Sequence, residues 1–164
     1  MPTLVPEEKR QSSIFALPKP NIIIFDGLRL IHEPCIRAMY ADFVESFWID
    51  RFSLNNLDRG GIGDAFVASD ILNLNPLLFV TELELVPSRT DRIDGIQLLE
   101  NIRKIPGFRL MPPALVITNS VALSRAHHNF QRLNVPRAFT WEGLRYPSEQ
   151  DRLRRIVRQL TEGC

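Results

Sequence analysis

Several short apolar runs in this chain end on side chains capable of oxygen chemistry. Asn21-Ile-Ile-Ile-Phe-Asp26 closes on a carboxylate, Leu77-Leu-Phe-Val-Thr81 leads into Glu82 and Glu84, and Ala114-Leu-Val-Ile-Thr118 closes on a hydroxyl. Carboxylates such as Asp26, Glu82 and Glu84 are hard oxygen donors of the kind that hold a divalent cation. Acids at strand ends are more often simply solvated, so the three are read as at most a loose cation cluster. His127 and His128 are adjacent, which on a helix turns them about 100° apart and unsuits them to one metal. His32 is remote from both in sequence, and all three histidines are read as surface or partly packed residues. Gly60, Gly61 and Gly63 lack the following Lys-Ser/Thr of a phosphate-cradling loop and are read as a turn. Cys35 reads as a small apolar residue on a helix. No local Ser/His/Asp pattern supports nucleophilic catalysis. No catalytic residue, no cofactor and no firm metal site is assigned.

The elements that must position these side chains are legible in the periodicity. The run after Asn21 is of buried-strand type. Pro34, suited to a first helical turn, opens a helix with Ile36, Met39, Tyr40, Phe43, Val44 and Phe47 on one face. Trp48 to Leu54 suits a second strand and Ala65 to Leu74 a helix. After the third strand at Leu77–Thr81, a loop of about ten residues leads to a helix carrying Ile96, Leu99 and Ile102, which stops at Pro106-Gly107. The fourth strand follows, and Ser120 caps a helix bearing Leu123, Ala126, Phe130 and Leu133. Arg137–Trp141 is a short fifth strand. Pro147 and Ser148 open a last helix with Leu153, Ile156, Val157 and Leu160 at i, i+3, i+4, i+7, ended by Gly163. Arg152, Arg154, Arg155 and Arg158 line its other face, diluted by Glu149, Asp151 and Glu162, and read as a solvated surface. Strands alternating with helices call for a parallel sheet covered on both faces.

The chain's 164 residues suit one domain, preceded by a proline-rich tail over 1–20 whose Ile14, Phe15 and Leu17 are able to dock on a neighbouring surface. Lys and Arg number 20 against 19 Asp and Glu, a balance with no general pull toward nucleic acid or anionic membrane. Apolar runs such as Ile22 to Phe25 fall far short of the about 20 residues of a membrane span. The N-terminus lacks the order of a signal peptide. Two cysteines, Cys35 and Cys164, give no disulfide framework. A soluble cytoplasmic protein is expected.

Leu78-Phe-Val-Thr-Glu-Leu-Glu-Leu-Val-Pro87, followed after a polar insert by Asp94-Gly-Ile-Gln-Leu-Leu-Glu-Asn-Ile-Arg103, resembles the receiver domain of bacterial response regulators. The long loop before Asp94 is similar to that of receivers attached to LuxR-type, Rcs-like DNA-binding domains. The resemblance covers roughly residues 20–162. It implies a flavodoxin-like (βα)5 three-layer sandwich with strand order 2-1-3-4-5. It also implies a phosphorylation pocket, but a degenerate one. Asp26 matches one of two metal-holding acids, while Gly27 stands where its partner acid belongs. Glu82 falls at the phosphoaccepting aspartate, Thr118 at the hydroxyl that contacts the phosphoryl group, and Phe139 at the aromatic switch position. Trp141 replaces the lysine, and an indole cannot compensate an acyl phosphate. Ile24-Phe-Asp-Gly27 also resembles the start of haloacid dehalogenases, but Leu28 stands where that family needs a second acid.

The resemblance therefore implies a tail over 1–20 and a receiver-like domain over 21–164. Its function would be a non-phosphorylated pseudo-receiver, a protein-interaction and dimerisation module in bacterial transcription control or signalling. The expected partners are a second copy or a related receiver, with DNA contacted only through a separate helix-turn-helix domain if one follows, and no membrane. The alternatives are a phosphorylatable receiver with Glu82 as atypical acceptor, and a small-molecule-binding flavodoxin-like domain.

Overall fold

A strand covered by helices on both faces is apolar along its whole length rather than at alternate positions. Ile22–Phe25 (β1), Leu78–Thr81 (β3) and Ala114–Thr118 (β4) are buried throughout. The computed structural model describes residues 21–39, 46–64, 66–86 and 93–162. The tail over 1–20, Tyr40, Phe43, Val44, Ala65 and Gly163 lie outside the described residues. Ser46–Ile49 (β2) and Arg137–Thr140 (β5) complete a sheet of five strands in the order β2-β1-β3-β4-β5, every neighbouring pair parallel. The helices are Arg29–Met39 (α1), Leu54–Asp58 (α2), Ala68–Leu74 (α3), Asp94–Arg103 (α4), Ser120–Ala126 (α5) and Pro147–Glu162 (α6). This is the flavodoxin-like α/β sandwich expected from the sequence.

Two cores form because successive strand side chains point to opposite faces. Ile23, Phe25, Phe79 and Val116 pack with Ile71 of α3 and with Leu98, Leu99 and Ile102 of α4. Ile22, Ile24, Leu78, Val80, Leu115, Ile117 and Phe139 pack with Ile36 of α1 and with Leu153, Ile156 and Val157 of α6. Burying each such side chain fully stabilises by about 1.5–3 kcal/mol, more than any ordinary residue's helix propensity.

Local chemistry moves several boundaries away from the sequence expectation. β2 ends at Ile49, and Ser53 caps α2, a helix the sequence did not reveal, by accepting from the Asn56 amide at 3.1 Å. Gly60, at φ +84°, then turns the chain. Buried Asn101 holds that turn by donating its amide to the carbonyls of Leu57 (3.0 Å) and Gly61 (2.8 Å). Pro34 lies inside α1 instead of in its first turn. Its missing N–H leaves the Leu30 carbonyl without its helical donor, and Leu30 is exposed, so water can serve it. Asn119, not Ser120, caps α5, accepting from the Ala122 amide at 2.8 Å. The helix expected to reach Leu133 stops at Ala126 and passes into a 3-10 turn over His127–Asn129. α3 begins at Ala68 rather than Ala65, and Trp141 stands one residue beyond β5.

The parallel ladder continues one residue past its strands at the carboxyl edge. Asp26 donates its amide to the Ile49 carbonyl (3.1 Å), Glu82 to Phe25 (2.9 Å) and Trp141 to Thr118 (2.9 Å). Those bonds place Asp26, Glu82, Thr118 and Trp141 along one rim. Strand order reverses between β1 and β3, and open α/β sheets bind ligands in the crevice outside such a point. Among the described residues, no helix is long and apolar enough to cross a membrane.

Candidate functional site

At the end of β1, Asp26 is only 2% exposed and both its oxygens are engaged. Oδ1 accepts the Leu28 amide at 2.7 Å, and Oδ2 lies 2.7 Å from His32 Nδ1 in the first turn of α1. The bond ties the end of β1 to the first turn of α1. The imidazole stacks on the Trp141 indole, with ring centroids 3.9 Å apart and planes inclined by 21°. Across the stack, Trp141 Nε1 donates to Glu82 Oε2 at 2.7 Å.

Glu82, 6% exposed, is the hub of the arrangement. Its Oε1 accepts from the Thr118 hydroxyl and from the amides of Leu83 (2.7 Å) and Glu84 (3.3 Å). Burial pushes its pKa above the ordinary carboxylate value, and the bonds from Thr118, Trp141, Glu84 and Leu83 oppose that rise. Asn119 donates to Glu84 Oε1 at 3.0 Å while its own Oδ1 caps α5. The chain leaving Glu82 is fixed from behind by α4. The Gly95 amide donates to the Leu83 carbonyl at 2.8 Å, and a Cβ at Gly95 would stand 2.5 Å from the Glu82 carbonyl. Asp94 Oδ2 accepts the Val86 amide at 3.2 Å.

Of the residues singled out in the sequence, Asp26, Glu82, Thr118 and Trp141 join one network. Gly27 adjoins it with no room for a side chain, because a Cβ there would lie 2.1 Å from the Leu85 carbonyl oxygen. Phe139 is instead buried in the core beside α6, with the Arg152 guanidinium 5.4 Å over its ring. The loose cation cluster of Asp26, Glu82 and Glu84 is not formed. No group of three His, Cys, Asp or Glu suited to a metal occurs among the described residues, and protein donors already occupy each carboxylate. The arginines of α6 pair in part with their own helix, Arg152 with Glu149 at 3.4 Å and Arg154 with Asp151 at 2.6 Å.

His32 is the residue that sequence reasoning missed. Its signal was its place six residues after a strand-ending acid. A three-residue connection starts α1 at Arg29 and returns position 32 to the same rim.

No protein-family model matches the sequence, and no curated protein matches it. Solved structures do match the fold. A response regulator receiver protein from Pseudoalteromonas atlantica superposes with a TM-score of 0.56 at 16% identity, covering 88% of this chain and 98% of that one. The signal receiver domain of a response regulator from Bermanella marisrubri gives 0.55 at 14% identity, over 87% and 98% of the two chains. A CheY-like receiver domain protein from Methanospirillum hungatei JF-1 gives 0.54 at 15% identity, over 88% and 96%. The chain has the receiver fold. The magnesium ion that the resemblance to receivers implies does not fit the residues present. The position of the second acid is closed by the Leu85 carbonyl, and Asp26 spends its oxygens on Leu28 and His32.

Two outcomes test the network. Trp141→Phe keeps an aromatic ring but removes the donor to Glu82, and should cost about 1–3 kcal/mol in denaturant unfolding. Trp141→Ala also removes the ring and should cost about 3–5 kcal/mol. A loss below about 1 kcal/mol for the alanine variant would show that the indole does not fill the site. Glu82 supplies the second outcome. Its folded-state pKa is raised, so its stabilising contribution is complete below the ordinary value of 4.5 and is lost as pH rises through the folded value. Wild type should therefore lose stability relative to Glu82→Gln as pH increases from acid to neutral, and parallel denaturation curves at each pH would contradict the raised pKa.

Proposed function

We propose that this protein is a pseudo-receiver, a signalling module that works through protein–protein contact without accepting a phosphoryl group. The observation that carries the reading is the Trp141 indole, stacked on His32 and bonded to Glu82. In the resemblance, that position belongs to the lysine that compensates an acyl phosphate. The residue at the acceptor position is a buried glutamate whose two oxygens are both bonded. Phosphoryl transfer depends on positioning and charge compensation, and here the carboxylate at the acceptor position is bonded on both oxygens while an indole stands where the resemblance puts the compensating lysine. With its hydroxyl held by Glu82, Thr118 is fixed in one arrangement. A module locked this way is a constant binding surface in place of a switch. No enzymatic activity is assigned, and a cytoplasmic role in bacterial transcription control is the setting that the resemblance to LuxR-type regulators suggests. DNA contact would then come from a separate helix-turn-helix domain.

Constitutive self-association, or pairing with a related receiver, belongs to this reading, through the face made by α5, β5 and α6. Exposed Val121 and Tyr146 and the unpaired length of β5 at the sheet edge support that choice of face.

Acetyl phosphate with magnesium should leave the intact mass of the protein unchanged. A stable gain of one phosphoryl group, abolished in Glu82→Gln, would instead establish an atypical acceptor and overturn the pseudo-receiver. Light scattering should report a dimer at micromolar concentration. A monomer that also retains no receiver partner in pull-downs would overturn the assembly.

A further inference from the structure

The edge of the sheet opposite the site carries an apolar groove of about 540 Å³, within the about 300–1,000 Å³ of functional clefts. Its walls include Leu72 at the end of α3, Leu77 before β3, and Phe108, Leu110 and Met111 from the connection between α4 and β4. That connection is held in place at several points. Gly107 turns it at φ +106°, where an added Cβ would stand 3.2 Å from Leu72 Cδ1. Phe108 meets Phe79 edge-on, with centroids 6.3 Å apart and planes at 85°. The Pro113 carbonyl accepts the Phe79 amide at 3.0 Å. The groove is thus preformed, yet Leu110 on its wall is left 82% exposed.

We infer that the groove is the docking site of the chain's own N-terminal segment, with Phe15 and Leu17 as its apolar anchors. The first described residue fixes where that segment must begin. The Asn21 carbonyl accepts the Leu77 amide at 2.9 Å and its side-chain amide donates to the Leu74 carbonyl, so the chain enters the fold beside the groove wall. Leu17 and Phe15 stand four and six positions before Asn21. At about 3.3–3.6 Å per extended residue they reach about 13 and 20 Å from it. Pro18 and Pro20 favour extended backbone for the residues between. A segment tethered this closely has an effective concentration in the millimolar range, which favours it over a second copy of the chain or a dilute partner. The pairing also explains why a segment rich in proline and charge carries Ile14, Phe15 and Leu17 together.

The test uses the full chain with Cys35 and Cys164 replaced by serine. The pair Phe15→Cys with Leu110→Cys should form a disulfide within one molecule under mild oxidation, at a rate independent of dilution. That rate should exceed by at least tenfold the rate for Phe15→Cys with Val121→Cys, since Val121 is exposed at the opposite edge of the sheet. Equal rates for the two pairs, or disulfides formed only between molecules, would overturn the inference, and the latter would assign the groove to a second copy. In the otherwise native chain, Phe15→Glu should speed hydrogen exchange at the Leu110 and Met111 amides at least tenfold. Unchanged exchange would overturn it as well.

Discussion

The carboxylate of Glu82 sits at the end of the central strand β3, 6% exposed, and a buried acid left without partners costs several kcal/mol. Much of the carboxyl rim answers that cost. Donors come from the end of β4, from one residue past β5 and from the backbone just after Glu82 itself. A shift of β4 or β5 by one residue would turn every side chain of that strand to the other face and withdraw its donor. The acid and the register of the sheet therefore hold each other. The apolar cores determine that a sheet forms, whereas Glu82 constrains how its carboxyl edge closes.

Trp141 extends this constraint from Glu82 to Asp26. Its ring nitrogen satisfies the first acid while its face supports His32, whose Nδ1 is bonded to the second. Two carboxylates at the end of neighbouring parallel strands would repel one another if both stayed charged and bare. Here an aromatic pair separates them and supplies each with a hydrogen-bond partner. The polar groups of the rim are thus bonded largely to one another.

Most of the fold was legible because a doubly covered parallel sheet writes itself as short, continuous apolar runs, and β1, β3 and β4 stand where those runs predict. The long stripe of α6 was equally plain. Elements decided by a single polar contact were not. Ser53 caps α2 through a bond only three positions long, but the hold of Asn101 on the turn after it spans 44 positions to Leu57 and 40 to Gly61, and no short window of sequence contains both ends. Asp26, Glu82, Thr118 and Trp141 could be placed at one rim from strand order alone. His32 could not, since its role depends on the length of the turn that returns α1 over the sheet and on the ring it meets there.

The close approach at Gly27 has a consequence for how this sequence can change. An acid at position 27 is not one substitution away, because its Cβ would collide at 2.1 Å with a backbone oxygen of Leu85, and a backbone atom cannot swing aside as a side chain can. The segment after Glu82 would have to be rebuilt at the same time, against the bonds that tie it to Asp94 and Gly95. A change at one place alone carries either a steric clash or a loosened loop. The glycine acts as a steric lock: single mutations can drift the surrounding surface, but a side chain at position 27 requires the backbone around Leu85 to move with it.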